Sequence, residues 1–297
     1  MNNQKDVPKK HHRDFLKTLA LGTAGLAAAT LQPSPRATHA SDAKPFAGDV
    51  LRVWSCGGLA EGMMPANAAY ENTRNISITY TGAFAAALGK SLLANGRTDV
   101  FAGRVLELAQ KLRSAGRMVS FKPFCFTRYV IVTPSGNPRK IGTLEDLAEP
   151  GVRVAMAPNA SPPGGAAVTG ILKISGLAEA IMKNVMDQGA TCVQTTLMDV
   201  VKKKADAMIV ELRLTRMDRF RSHLDVTPIP EEFFPPGPLT FTIGLMEEAK
   251  NVALAKDYID WMTSAAGGQK FMEDAGFIPA ESDEGHRLIE KLGVRDE

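Results

Sequence analysis

The 297-residue chain has little cysteine, histidine or aromatic side chain: three Cys, five His and 6% Phe, Trp and Tyr. It contains neither the CxxC nor the HExxH spacing of many zinc sites, so a zinc enzyme is disfavoured. Its basic residues form no stripe interleaved with aromatic ones, so nucleic acid is not an expected partner. No segment is apolar over the roughly 20 residues that a membrane-spanning helix needs. What remains is an ordinary globular composition, long enough for two compact lobes.

The first forty residues differ in composition from the rest. Five basic residues, from Lys5 to Lys17, precede the uncharged stretch 19–31, which is too short to span a bilayer. Small residues up to Ala40 match the positions that a signal peptidase reads, so we expect residues 1–40 to be a cleaved export signal and the mature protein to be periplasmic. An amphipathic helix of the fold is disfavoured, because the stretch has no polar face. The export route stays open, because the segment HHRDFLK resembles the twin-arginine signal but has His12 in place of the first arginine.

The mature part is close to neutral. Residues 1–40 hold six Lys or Arg and two Asp or Glu, which leaves 29 basic and 30 acidic side chains in residues 41–297. Such a balance creates no field that would attract nucleic acid. Three cysteines are an odd number for an oxidising compartment, so at least one thiol stays outside a disulfide.

Strands and helices alternate along the mature chain. Short apolar runs at 50–54, 76–80 and 99–103 are each followed by a turn and a helical pattern. The alternation continues over 129–210, where we expect a strand near 191–194 among others. This pattern predicts an α/β fold with mainly parallel sheets flanked by helices.

Four motifs resemble, in order and spacing, those of type II periplasmic binding proteins, and most of all those of the molybdate and tungstate binders. The longest is EAKNVALAKDYIDWMTSAAGGQKFMEDAGFIPA at 248–280, and the others are Asp99-Val100-Phe101, Gly142 to Leu147 and Pro162 to Gly165. The resemblance covers nearly the whole mature chain. It implies two α/β lobes, 46–126 plus 237–297 and 127–236, that are joined by two crossover strands acting as a hinge.

The resemblance also implies a ligand site made of strand-to-helix turns. Helix N-termini expose unpaired N–H groups with a partial positive charge, so an oxyanion fits there without a fully charged partner. A ligand that touches both lobes stabilises the closed form. The implied contacts are Ser55, Cys56, Gly57 and Gly58; Thr81, Gly82 and Ala83; Gly164 and Gly165; Cys192, Val193, Gln194 and Thr195; and Glu211.

Two positions depart from the family pattern. The family generally has a serine where Gly58 is aligned, and the molybdate binders have a tyrosine where this chain has Glu211. A carboxylate repels an oxyanion, and thiolates are soft ligands. A second hypothesis is therefore a site for a soft metal or for arsenite, formed by Cys56, Cys125 and Cys192. Inert buried thiols, or a disulfide with one spare thiol, are the plain alternatives.

The expected function is that of a solute-binding protein and not of an enzyme. It would hand a small anion, or a thiophilic ion, to the membrane permease of an ABC importer, as a monomer and without a cofactor. Arg104 and Arg128 could lend charge near the lobe interface, although surface arginines are the more common case. An enzyme stays as an alternative, because porphobilinogen deaminase shares this architecture and holds its cofactor through a cysteine. That enzyme is cytoplasmic and rich in arginine, whereas this chain has an export signal and no arginine cluster in its turns.

Overall fold

The computed structural model describes residues 45–160, 164–235 and 239–295. The expected export signal lies outside these ranges. No helix within them is long and apolar enough to cross a membrane. The strands are β1 Val50–Cys56, β2 Ser77–Ala83, β3 Val100–Arg104, β4 Met118–Phe126, β5 Tyr129–Pro134, β6 Val154–Ala155, β7 Ala207–Glu211, β8 Leu224–Pro228, β9 Thr240–Met246 and β10 Ile278–Pro279. The helices are α1 Ala60–Arg74, α2 Ala85–Ala94, α3 Leu106–Ser114, α4 Gly164–Ile174, α5 Ala178–Lys183, α6 Val193–Val201, α7 Leu212–Arg216, α8 Asp218–Arg221, α9 Val252–Thr263, α10 Gly268–Asp274 and α11 Asp283–Leu292.

The strands form two sheets. The first has the order β10-β4-β9-β3-β1-β2, and the second has the order β6-β7-β5-β8. The chain passes from the first sheet to the second after β4 and returns to the first at β9, so the segment that forms the second sheet is inserted between strands of the first. The backbone N–H of Thr127 donates to the carbonyl of Leu239 at 2.9 Å, which places the two crossings side by side.

The sheets are mixed, and the expectation of mainly parallel sheets is wrong in this respect. In the first sheet β1 pairs in parallel with β2 and β3, but β9 runs antiparallel to both β3 and β4. In the second sheet only β6 and β7 are parallel, while β5 is antiparallel to β7 and β8. The returning strand β9 lies between β3 and β4 in the sheet order and runs against both, which makes the sheet mixed.

Helices cover both faces of each sheet. Strands β3, β5, β7 and β9 are buried along their whole length, as is expected for strands with helices on both sides. The core of the first sheet includes Met63 and Tyr258 on one face and Leu92 on the other. In the second sheet, Ile171 and Leu197 belong to separate hydrophobic clusters. Burial of these apolar faces places the strand-to-helix turns at the edges of the sheets.

The prediction of a strand near residues 191–194 is wrong, because this segment leads into α6. Cys192 is the residue before α6, and the backbone N–H of Thr196 donates to the Cys192 carbonyl at 3.1 Å, which closes the first turn of that helix. The strand-like signal came from β-branched residues in this segment, such as Val193, which also occur in the first turn of a helix when its other face packs on a core.

Candidate functional site

The first two predicted ligand turns lie together. Strand β1 ends at Cys56 and pairs with β2, whose last residue, Ala83, is opposite Cys56. A methyl group added to Gly57 would lie 3.6 Å from the Ala83 carbonyl oxygen. The hydroxyl of buried Ser55 lies 2.5 Å from the Tyr80 hydroxyl, so it is already engaged within the first sheet. Backbone groups, more than the Ser55 side chain, are therefore the donors that this edge can offer.

A buried ion pair joins the ends of strands from the two sheets. Arg104 ends β3 and Glu211 ends β7, and their Nη1 and Oε1 atoms lie 2.5 Å apart with 5% and 6% of the side chains exposed. Tyr129 lies opposite Glu211 in the second sheet. Arg104 donates to the Tyr129 hydroxyl at 3.1 Å, and that hydroxyl donates to Glu211 at 3.2 Å. A buried ion pair and its hydrogen bonds thus link the two sheets.

Arg213 extends this pair into a four-charge cluster. Its Nε donates to Glu211 at 2.5 Å and its Nη1 donates to Glu61 of α1 at 3.1 Å. A methyl group added to Gly58 would lie 3.5 Å from Nη2 of the same guanidinium. Arg213 also lines a cavity of 450 Å³ together with Glu61, to which none of the predicted ligand turns contributes. The Arg213 side chain therefore lies between the first ligand turn and that cavity.

The cluster changes the expected effect of Glu211. Burial alone would raise the pKa of Glu211, but Arg104 and Arg213 outweigh burial and lower the pKa to about 2. The carboxylate is thus ionised and compensated by two guanidinium groups. An isolated carboxylate would repel an oxyanion, whereas this one belongs to a cluster with as many positive as negative side chains, Glu61 included.

Sequence reasoning identified only part of this cluster. Of the two arginines considered for the lobe interface, Arg104 pairs with Glu211 of the second sheet, and Arg128, which lies beside the first crossing, pairs with Glu284 of α11. The expectation that no arginines gather near the turns is wrong, because Arg104 and Arg213 both contact Glu211. Arg213 was missed because its charged partner Glu61 lies 152 positions away in the chain.

The third and fourth predicted turns are brought together by the second sheet. The backbone N–H of Asn159 donates to the Ala190 carbonyl at 3.2 Å, which links the loops that precede α4 and α6. A methyl group on Gly165 would lie 2.3 Å from the Pro158 carbonyl oxygen, so close backbone contact requires glycine there. These contacts place Gly164 and Gly165 near the segment from Cys192 to Thr195. That all four turns surround one cavity stays a prediction.

The three thiols do not form a common site. Cys56 and Cys125 are buried in the core of the first sheet, whereas Cys192 is exposed, and all three are free. Burial raises the pKa of Cys56 and raises that of Cys125 well above its usual value, which disfavours the thiolate that binds soft ions. A hydrogen bond from the Thr195 hydroxyl lowers the pKa of Cys192. In the described ranges no group of three or more His, Cys, Asp or Glu is placed to hold a metal ion, so the geometry does not support the three-thiol site.

Two sheets joined by two crossings, with turns from each at the interface, define the class of two-lobed binding proteins. The profile of the family described as bacterial extracellular solute-binding protein matches residues 51–278, and the chain belongs to this family. This membership confirms the family expected from the four motifs.

Individual relatives agree with that assignment. The molybdate-binding protein ModA of Mycobacterium tuberculosis is 23% identical over 216 residues, which cover 68% of this chain and 74% of ModA. A substrate-binding domain assigned to a molybdenum ABC transporter of Clostridium difficile has a TM-score of 0.69 at 19% identity, covering 79% of this chain and 100% of that one. The periplasmic molybdate-binding protein of Azotobacter vinelandii has a TM-score of 0.62 at 15% identity, with 77% and 98% covered. At these identities the solved structures establish the two-lobed fold.

Proposed function

We propose that this protein binds a small tetrahedral oxyanion, of the molybdate or tungstate class, between its two sheets and delivers it to the membrane permease of an ABC importer. The relatives named for molybdate support this ligand class. Their fold is that of this chain, and the first two ligand turns expected from the resemblance lie side by side at one sheet edge. We also propose that one lobe comprises residues 46–126 and 237–297 and that the other comprises residues 127–236.

The observation that carries the proposal is the compensated charge of Glu211. This residue was the strongest argument against an oxyanion, because a carboxylate in the site would repel the ligand. Its two ion pairs, both at 2.5 Å, cancel that repulsion and leave the guanidinium of Arg213 beside Gly58. A cluster without net charge suits an anion that is held mainly by hydrogen bonds from backbone N–H groups.

Thermal unfolding of the purified exported protein tests the proposal. A ligand present at 100 times its Kd stabilises the folded state by about 2.7 kcal/mol, which raises the Tm of a chain of this size by about 5–10 °C. We expect this shift with molybdate or tungstate, and a smaller one with sulfate or phosphate. Arsenite serves as the thiophilic comparison. A shift with arsenite alone, or no shift with any oxyanion, contradicts the proposal.

A further inference from the structure

Arg213 has one guanidinium nitrogen that its ion pairs do not use. Nε and Nη1 bind Glu211 and Glu61, whereas Nη2 has no hydrogen-bond partner among the described residues. Only 14% of the side chain is exposed, so Nη2 is a charged donor held in a mostly buried place. A charged donor without a protein partner is available to a ligand that accepts its hydrogen bond.

The position of Nη2 relates it to the first ligand turn. A side chain on residue 58 would meet Nη2 first, at 3.5 Å, and the Cζ atom next, at 3.6 Å. The guanidinium therefore covers the side of Gly58 where a side chain would otherwise stand. Because residue 58 has no side chain, none stands between the backbone of this turn and Nη2.

The orientation of Arg213 is fixed from both sheets. Glu211 ends β7 of the second sheet, and Glu61 lies in α1, which packs on the first sheet. Two carboxylates that bind different nitrogens of one guanidinium fix the orientation of its plane. Little side-chain freedom therefore remains to be lost when a ligand binds. The donor is thus preorganised.

We propose that Arg213 determines the charge specificity of the site, by donating a charge-assisted hydrogen bond from Nη2 to a doubly charged tetrahedral oxyanion on the Gly57-Gly58 turn. This inference rests on the proposed function and narrows the ligand to divalent oxyanions. Because Arg104, Arg213, Glu61 and Glu211 carry no net charge together, the preference comes from a directed donor and not from a general positive field. A divalent anion gains more from such a donor than a monovalent anion of the same shape.

Tungstate and perrhenate provide matched probes, because both are tetrahedral and closely similar in size but carry charges of −2 and −1. Calorimetric titration of the wild-type protein should give a Kd for tungstate at least about 10-fold lower than that for perrhenate. In R213Q we expect the tungstate affinity to fall about 10- to 100-fold and the perrhenate affinity to fall much less. Equal losses for both anions, or none, overturn the inference.

A charge-matched double variant separates direct contact from net charge. R213Q leaves the two carboxylates less compensated, whereas R213Q/E61Q restores the net charge of the cluster and still lacks the guanidinium. Weak tungstate binding by the double variant supports direct donation by Arg213. Recovery of the wild-type affinity in the double variant overturns it, because Arg213 would then act through charge alone.

R213K covers the case in which R213Q does not fold. Lysine keeps the positive charge but lacks the planar fork of donors, so the tungstate affinity should fall about 10-fold while circular dichroism shows an intact fold. An unchanged affinity in R213K overturns the inference. A wild-type protein that binds neither anion refutes the proposed function itself, whereas tungstate binding that is equal in wild type and R213K refutes only the role of Arg213.

Discussion

Replacing Arg104 by methionine should strongly destabilise the protein, because it removes one partner of a buried ion pair. Arg104 and Glu211 are each at most 6% exposed, and their charges lie 2.5 Å apart. Methionine keeps much of the apolar stem but leaves Glu211 with Arg213 as its single cation. Breaking a buried pair in this way costs about 3–5 kcal/mol.

The lowered pKa of Glu211 provides a second value for the free energy by which its ion pairs stabilise the fold. A fall from the ordinary value of 4.5 to about 2 corresponds to about 3 kcal/mol, at about 1.36 kcal/mol per pKa unit. Because the folded-state pKa lies below the unfolded one, the ionised carboxylate stabilises the fold above pH 4.5. This stabilisation is lost as the pH falls from about 4.5 towards 2.

Urea unfolding of wild type and R104M at pH 7 and at pH 3 measures both effects. We expect a loss of about 3–5 kcal/mol at pH 7 and a smaller difference at pH 3, since wild type has by then lost part of the Glu211 contribution. Lys183→Met is the control, because the Lys183–Glu179 pair is largely exposed and its loss costs about 0.5 kcal/mol or less. A loss below about 1 kcal/mol in R104M at pH 7, or a difference that does not change with pH, refutes this reasoning.

Two further predictions concern the second sheet and the thiols. Gly165→Ala should destabilise the protein by about 1–3 kcal/mol, because the added methyl would lie 2.3 Å from a carbonyl oxygen. The control, Gly164→Ala, has open space around it and should change the stability by at most about 0.5 kcal/mol. Equal thermal unfolding of the two variants contradicts this contact. Iodoacetamide should label exposed Cys192 in the native protein and leave buried Cys56 and Cys125 until the protein unfolds. Mass spectrometry that finds Cys56 labelled as fast as Cys192 contradicts the assigned burial.

Local patterns were sufficient to predict much of the fold. Apolar runs located β1, β3, β5 and β7, and the motif at 248–280 located α9 and α10. Strand β4 was not predicted, although it is a central strand of the first sheet. It contains Pro123, which cannot donate to a ladder and argues against a central strand. The structure accommodates this proline at a register irregularity between Pro123 and Cys125, a tertiary feature that the local sequence does not encode.

The site was less predictable than the fold. The resemblance selected Glu211 and the first two turns, but it gave no reason to expect that arginines compensate the charge of Glu211. That property depends on Arg104 at the end of another sheet and on Arg213, whose second partner is Glu61. Each of these contacts joins residues far apart in the chain, so only the folded arrangement identifies them. The same holds for the thiols. Their positions in the sequence predicted that all three lie near the ligand turns, whereas in the folded protein Cys56 and Cys125 are buried and Cys192 is exposed.

The most direct test is a crystal structure of the protein grown with tungstate, in which the anomalous scattering of tungsten locates the anion. We predict one tungsten site between the two sheets, with an oxyanion oxygen within hydrogen-bonding distance, about 2.7–3.2 Å, of Nη2 of Arg213 and of the backbone at Gly57 and Gly58. Tungsten located away from this turn, or no bound tungsten in protein crystallised at saturating tungstate, would contradict the account.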